Sequence, residues 1–182
     1  MKYTVVQYDQ IASQAYEDYI SEWENANEHI VPSSSKRNGK TFVQLMNKWK
    51  EDETDIAYKN GFVPSTLFFL VDDNQIIIGA IHYRHVLNQR LLENGGNIGY
   101  GVRASERQKG FASLMLNLLL EKIDNGNIDK VMLTCDEDNT ASARTIEKCG
   151  GILQDKVIFE DVLTRRYWIE LGNRNRRTIA ST

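Results

Sequence analysis

Two rhythms of apolar residues alternate along the chain, and the points where one gives way to the other mark out its elements. Residues 2–8 read as a first strand. Ala12, Ala15, Tyr16, Tyr19, Ile20 and Trp23 then recur at i, i+3, i+4, i+7, i+8 and i+11, the spacing of one helix face. Pro32, Ser33, Ser34, Ser35, Lys36, Arg37, Asn38 and Gly39 break that stripe, and Phe42, Leu45, Met46 and Trp49 begin a second. The two predicted helices form a layer or lid. From Ser65 the chemistry turns to strands: Leu67–Val71, a turn at Asp72, Asp73 and Asn74, then Ile76–Ile81, a β-hairpin.

Polar residues 88–97, including Gly95 and Gly96, predict a loop, and residues 98–103 a strand. Phe111, Leu114, Met115, Leu118 and Leu119 return to helical spacing, and Leu116, Leu120 and Ile123 widen the stripe almost around the helix, which must therefore be deeply buried. Residues 130–135 predict a strand and 139–148 a helix that Asp138 or Asn139 can cap and Gly150 can end. Residues 152–159 and 165–171 predict an antiparallel hairpin around Glu160 and Asp161. The order is mixed α/β (α+β), with a partly antiparallel sheet, and does not fit a doubly wound parallel design.

A chain of 182 residues with 41% apolar and 26% charged content suits one compact soluble domain over 1–182. No apolar run is long enough to cross a bilayer and the N-terminus lacks a secretory pattern, so a cytoplasmic location without membrane association is expected. Cys135 and Cys149 have neither metal-ligand spacing nor a disulfide framework, so no metal is expected. A net charge of −3 argues against nucleic acid and assigns any anion binding to a local cluster such as Arg103, Arg107 and Lys109. Arg174, Arg176 and Arg177 lie in a basic tail, 172–182, expected to be solvated and flexible.

That cluster sits in the most informative stretch of the chain, residues 102–112. A short basic loop containing Gly110 joins a strand to an apolar helix, so backbone N–H groups and the positive end of a helix dipole converge where an anion can sit. Gly99, Gly101 and Ala104, with Asp124 beyond, satisfy the letter of a dinucleotide fingerprint. Gly95, Gly96 and Asn97 leave almost no strand before Gly99, which removes it. A P-loop is excluded because Phe111 and Ala112 follow Gly110 where Lys and Ser or Thr are required.

Arg107, two residues, Gly110, one residue and Ala112 resemble the pyrophosphate loop of the GCN5-related N-acetyltransferases, and the order of elements over residues 65–171 is similar to that family's core. The resemblance implies a largely antiparallel central sheet flanked by helices, with a strand pair splayed around acetyl-CoA as co-substrate. Residues 1–64 would then shape the acceptor site. It implies that Arg107, Gln108, Lys109, Gly110, Phe111 and Ala112 hold the CoA pyrophosphate, and that Tyr100, Gly101 and Val102 offer backbone groups to the pantetheine arm and an N–H to the acyl oxygen. Asp138–Ser142 and Ile146–Gly151 are similar to the family's Asn-x-x-Ala helix, which puts Asn139 at CoA. Ile146 stands where many members carry a tyrosine that protonates the departing thiolate, so that step cannot be carried over.

The acceptor must be a neutral amine, and something must take its proton. His82, His85 and Tyr100 are the candidates, with Glu28 if the helical layer folds over; His85, in a polar run, is the expected base, with Tyr100 beside it. A Cys149 nucleophile is the weaker alternative, a buried cysteine usually being packing. The expectation is an N-acetyltransferase acting on a small-molecule or protein amine, with a homodimer left open. The competing reading is an acyl-CoA sensor or partner-binding protein that keeps the cradle without the chemistry.

Overall fold

The chain runs β1 (Tyr3–Gln7), α1 (Ser13–Asn25), α2 (Phe42–Asp52), α3 (Ile56–Lys59), β2 (Ser65–Asp72), β3 (Ile77–Arg84), α4 (Gln89–Glu93), β4 (Ile98–Val102), α5 (Phe111–Ile123), β5 (Lys130–Asp136), α6 (Thr140–Lys148), β6 (Ile152–Phe159) and β7 (Val162–Glu170). These bounds come from a computed structural model describing residues 2–124 and 127–172. The basic tail therefore lies, from residue 173 on, outside the described residues.

Two helices depart from the sequence expectation. α3 and α4 span only four and five residues, too few to leave a periodicity. α4 rises from the predicted polar loop because Asn88 Oδ1 accepts the Leu91 N–H at 2.9 Å and caps it. β7 starts earlier than predicted. Glu160 and Asp161 both adopt left-handed backbone (φ 48° and 66°), the two-residue turn that lets Phe159 pair at once with Val162.

The strands form two antiparallel sheets, ordered β1-β2-β3-β4 and β5-β7-β6. Each strand of the first sheet sends alternate side chains to opposite faces. Phe68, Leu70, Ile81, Tyr83, Ile98 and Val102 join α5 and α6 in one core. Leu67, Phe69, Val71 and Ala80 join α1 and α2 in a second, where Trp49 and Tyr19 pack edge-on against Phe69, both with ring centroids 6.0 Å away. The sheet is thus sandwiched between two helical layers.

Asn97 clasps the two sheets at the start of β4. Its N–H donates to Met132 O (2.7 Å), its Oδ1 accepts from Met132 N–H (2.8 Å), its Nδ2 donates to Arg84 O (3.0 Å), and its carbonyl accepts from Arg84 N–H (2.7 Å). Beyond this clasp β4 and β5 share no ladder and lie in separate sheets. The splayed pair expected from the sequence is therefore present, hinged on a buried asparagine.

Candidate active site

The anion loop is built from backbone. After Val102 the chain makes a short turn, Ala104–Glu106, then reaches Gln108 (φ 62°) and Gly110 (φ 84°), left-handed residues on either side of Lys109. Nothing lies within 4 Å of a Cβ placed on Gly110, so this glycine answers to its backbone conformation and not to a near neighbour within the chain. Leu114 is the first residue of α5 whose N–H meets a backbone acceptor, Gly110 O at 3.1 Å. The N–H groups of Gln108 through Ser113 have no partner among the described residues. Unpaired amides around left-handed residues at a helix N-terminus form a concavity of the kind that binds anions.

The basic side chains of the loop are otherwise engaged. Arg107 Nε donates to Val102 O at 3.0 Å, its guanidinium lies over the Trp23 ring at 4.9 Å, and it is ion-paired with Glu28. The Arg107 side chain, expected to help hold the pyrophosphate, thus lies against the α1 side of the molecule in this structure. Lys109 pairs with Glu106 at 3.0 Å. Glu22 on α1 latches the loop from behind, accepting from Ser105 N–H (2.8 Å), Ser105 Oγ (3.0 Å) and Arg103. Burial alone would raise the Glu22 pKa, but these donors outweigh it and hold the carboxyl below its usual value. The helical periodicity of α1 carried no sign of Glu22, which lies on the polar part of that helix.

The gap between the sheets is lined by β4. Arg84 N–H bonds Asn97 O and Arg103 N–H bonds Ile78 O, so the odd-numbered residues of β4 turn their backbone to β3. Ile98, Tyr100 and Val102 then turn theirs to the gap, as an added strand or an extended ligand arm requires. Gly101 is not part of that edge, which corrects its expected role. A Cβ there would stand 2.1 Å from Val31 O, and the glycine admits the loop that follows α1.

Tyr100 reaches α6, with Oη 3.0 Å from Ser142 Oγ. Burial pushes its pKa up to about 12, so at neutral pH it keeps its proton and cannot act as a base. That corrects its standing as a candidate base. Ile146, one turn along from Ser142, is fully buried, and its Cγ2 would stand 2.4 Å from a Cβ on Gly151. The Tyr100 hydroxyl thus meets the face of α6 from which a tyrosine at 146 would project. Asn139 caps α6, its Oδ1 accepting Ser142 N–H at 3.0 Å. Cys149 is buried with its thiol on Ser113 O at 3.5 Å, the packing role.

On the opposite face of the sheet a cavity of about 790 Å³ opens between β3, the loop after α1, α2, α4 and the β6 end at Phe159. His82 lines it, and His82 pairs in register with Gly99 on β4. Burial, with Arg84, Lys48 and His85 adding positive charge, lowers the His82 pKa to about 3, leaving a neutral imidazole. His85 is not among the cavity residues. Its Nε2 meets Thr66 Oγ1 at 2.9 Å, and its ring packs at 5.3 Å on Tyr83, two residues earlier in the chain and the cross-strand partner of Thr66, a tyrosine that belongs to the α5–α6 core. The structure therefore separates the expected base from the cavity and places His82 there instead. Strand alternation could have made the choice, since His82 shares the parity of Ala80, which packs on α1 and α2.

Two splayed antiparallel sheets, an amide cradle at the N-terminus of α5 and a cavity across the sheet are the arrangement of an acyl-CoA-dependent acyltransferase. The Acetyltransferase (GNAT) domain family matches residues 7–152, and the chain belongs to that family; it is an acetyl-CoA-dependent N-acetyltransferase. Solved structures share the fold. The chain is 15% identical to a dodecameric spermidine N-acetyltransferase from Vibrio cholerae, with a TM-score of 0.66 over 97% of this chain and 98% of that one. A complex of spermidine N-acetyltransferase from Vibrio cholerae with CoA and spermine gives 16%, 0.64, and 93% and 96%. A ribosomal-protein-S5-alanine acetyltransferase from Vibrio fischeri gives 14%, 0.64, and 94% and 93%. No protein of curated function matches the sequence.

Proposed function

We propose that the chain transfers acetyl directly to a primary amine held in the cavity, with His82 receiving the amine proton and Tyr100 acting on the departing sulfur. The observation that carries this reading is the register of His82 against Gly99, which sets a neutral imidazole beside the strand that lines the gap. The free amides of residues 108–112 and Asn139 hold the donor, with Tyr100 and Val102 along its arm and Lys109 at the rim. Bound acetyl-CoA supplies an activated acyl carbon and a thiolate leaving group.

The cavity's own charge prepares the acceptor. Lys36, Lys40, Lys48 and Arg84 line it, and positive neighbours disfavour an ammonium, so the amine sits there with its lone pair free. As its nitrogen bonds to the acyl carbon its N–H becomes strongly acidic, so even the weakly basic His82 can accept the proton. The Tyr100 hydroxyl donates a hydrogen bond to the sulfur as the C–S bond breaks, supplying from β4 what Ile146 cannot supply from α6.

The test is release of free CoA thiol, with acetylated amine formed in equal amount, across a set of primary amines. Tyr100→Phe is expected to lower kcat by roughly ten- to hundredfold, the worth of about 1.5–3 kcal/mol for a hydrogen bond to a charged group, with the KM for acetyl-CoA held. CoA binding without thiol release for any amine would return the reading to a sensor, and an unchanged kcat in Tyr100→Phe would remove that residue. The chain works in the cytoplasm; no helix among the described residues is long and apolar enough to cross a membrane. It self-associates: Ile152, Leu153 and Ile158 stand exposed on the edge strand β6, and one fold neighbour is a dodecamer.

A further inference from the structure

The cavity carries a charge that sets it at odds with polyamine substrates. Lys36, Lys40, Lys48, Arg84 and Arg90 line it against one carboxylate, Asp52, which is ion-paired with Lys48. Arg90 lies over the Phe159 ring at 5.6 Å, and its carboxylate contact is a long one of 3.4 Å with Glu160, both side chains being largely exposed (74% and 70%). Lys36, Lys40 and Arg84 have no carboxylate partner among the described residues. Arg84 Nη1 is held by Gly95 O at 3.0 Å and Gly96 O at 3.1 Å, carbonyls that orient the guanidinium without neutralising it. Ser34, another of the lining residues, carries a buried Oγ with no hydrogen-bond partner among the described residues.

From these contacts we infer that the acceptor is an amine bearing its own anionic group, a carboxylate or a phosphate, and that the cavity rejects polycationic amines. The inference rests on the acetyl-transfer reading above and names the chemical class of its acceptor. Arg84 and His82 lie two residues apart on β3 and therefore share a face, about 6.6 Å apart along the strand. The amine is presented to His82 while the anion meets Arg84, with Ser34 and the free lysines completing the anion's surroundings. That separation suits a molecule whose amine and anion are a few bonds apart, as in an amino acid or an aminoalkyl phosphate. A spermidine-like cation would bring further positive charge against these groups, and repulsion of that kind is how a site excludes a wrong partner.

The experiment uses the full chain loaded with CoA, with binding and turnover read separately. An α-amino acid, phosphoethanolamine, ethanolamine and spermidine are compared by calorimetric binding and by thiol release from acetyl-CoA. The anionic amines are expected to bind at least on the order of tenfold tighter than ethanolamine, with spermidine weakest and the advantage shrinking as salt rises. The ratio of amino acid to phosphoethanolamine distinguishes carboxylate from phosphate. Removing two surface charges in Lys36→Met/Lys40→Met should erode the anion preference through KM, and Lys36→Arg/Lys40→Arg should keep it. Spermidine or ethanolamine binding as tightly as the anionic amines, or a preference untouched by the Met pair, would overturn the inference. Thiol release decides the other reading: anion-selective binding with no turnover for any amine would overturn acetyl transfer while supporting the charge assignment.

Discussion

The loop proposed for the donor offers main chain, whereas the cavity proposed for the acceptor is assembled from side chains. In the loop the free amides of residues 108–113 face the site, and the basic side chains that drew attention in the sequence are tied to Glu28 and Glu106. In the cavity, Lys36, Lys40 and Arg84 keep their charge available. A main-chain site depends on a few consecutive conformations and tolerates changes of side chain. A side-chain site is specified by which residues meet, so it can vary in charge while the fold around it stays constant. Fold neighbours at 14–16% identity therefore inform the first region far more than the second.

The sharpest way to break this comparison is at His82. If the two regions are separable, His82→Ala lowers kcat/KM by about 10²–10⁴-fold, the usual worth of a positioned proton acceptor, and leaves the Kd for CoA unchanged. Steady-state rates beside a CoA titration check it; a parallel loss of CoA affinity would merge the regions into one.

The same residue gives a stability prediction. With the folded-state pKa lowered to about 3 and an unfolded value near 6.5, the unfolded chain binds the extra proton between those limits, so stability rises with pH across that window. His82 is neutral and harmless above about pH 6.5; as pH falls toward 3, stability is lost at up to about 1.4 kcal/mol per pH unit. Denaturant unfolding at several pH values should show the acid limb flatten in His82→Gln, and an identical limb in both proteins would mean that His82 is not desolvated in the folded state.

Legibility followed the same division. The loop could be read because its chemistry lies in eleven consecutive residues, 102–112, and Gly110 sits where the left-handed backbone needs it. α1, α2 and α5 could be read because each buries a stripe long enough to show its period. The cavity could not, because Lys36, Lys48, His82, Arg84 and Phe159 come from segments far apart, and nothing local marks a solvated lysine from one facing a cavity. His85 looked preferable to His82 because a polar neighbourhood resembles a reactive one; only strand parity distinguishes their faces. Asn97 passed as a loop residue, although its four hydrogen bonds to Arg84 and Met132 hinge the sheets.

On the donor side, Gly110→Val forces a β-branched residue toward φ 84° without meeting any neighbour. The left-handed conformation costs such a residue about 1–2 kcal/mol, so the loop gives way and the Kd for CoA rises roughly five- to thirtyfold. Because the loop is exposed, the melting temperature should move little and the KM for the amine, at saturating acetyl-CoA, should not move at all. Unchanged CoA affinity would detach the cradle from the donor.

Glu22→Gln probes the loop from behind and should have the smallest effect. The carboxylate accepts from Ser105 N–H, Ser105 Oγ and Arg103 at once, and Arg103 also donates to Ile77 O at 3.2 Å, so Glu22 fixes the start of the loop relative to α1 and β3. An amide keeps one acceptor oxygen but not the charge, and it sets a second donor against donors, so the turn at 104–106 loosens without the amides of 108–113 being removed. The cost is one of preorganisation, about 0.5–1.5 kcal/mol, which reads as a roughly two- to tenfold rise in the Kd for CoA. The same carboxylate, held below its usual pKa, is protonated as pH falls through that lowered value, so the wild-type loop should lose this advantage in acid and approach the variant. CoA titrations of both proteins from neutral pH downward check this: curves that converge tie the latch to the Glu22 charge, and curves that stay parallel attribute the loss to the shape of the glutamine.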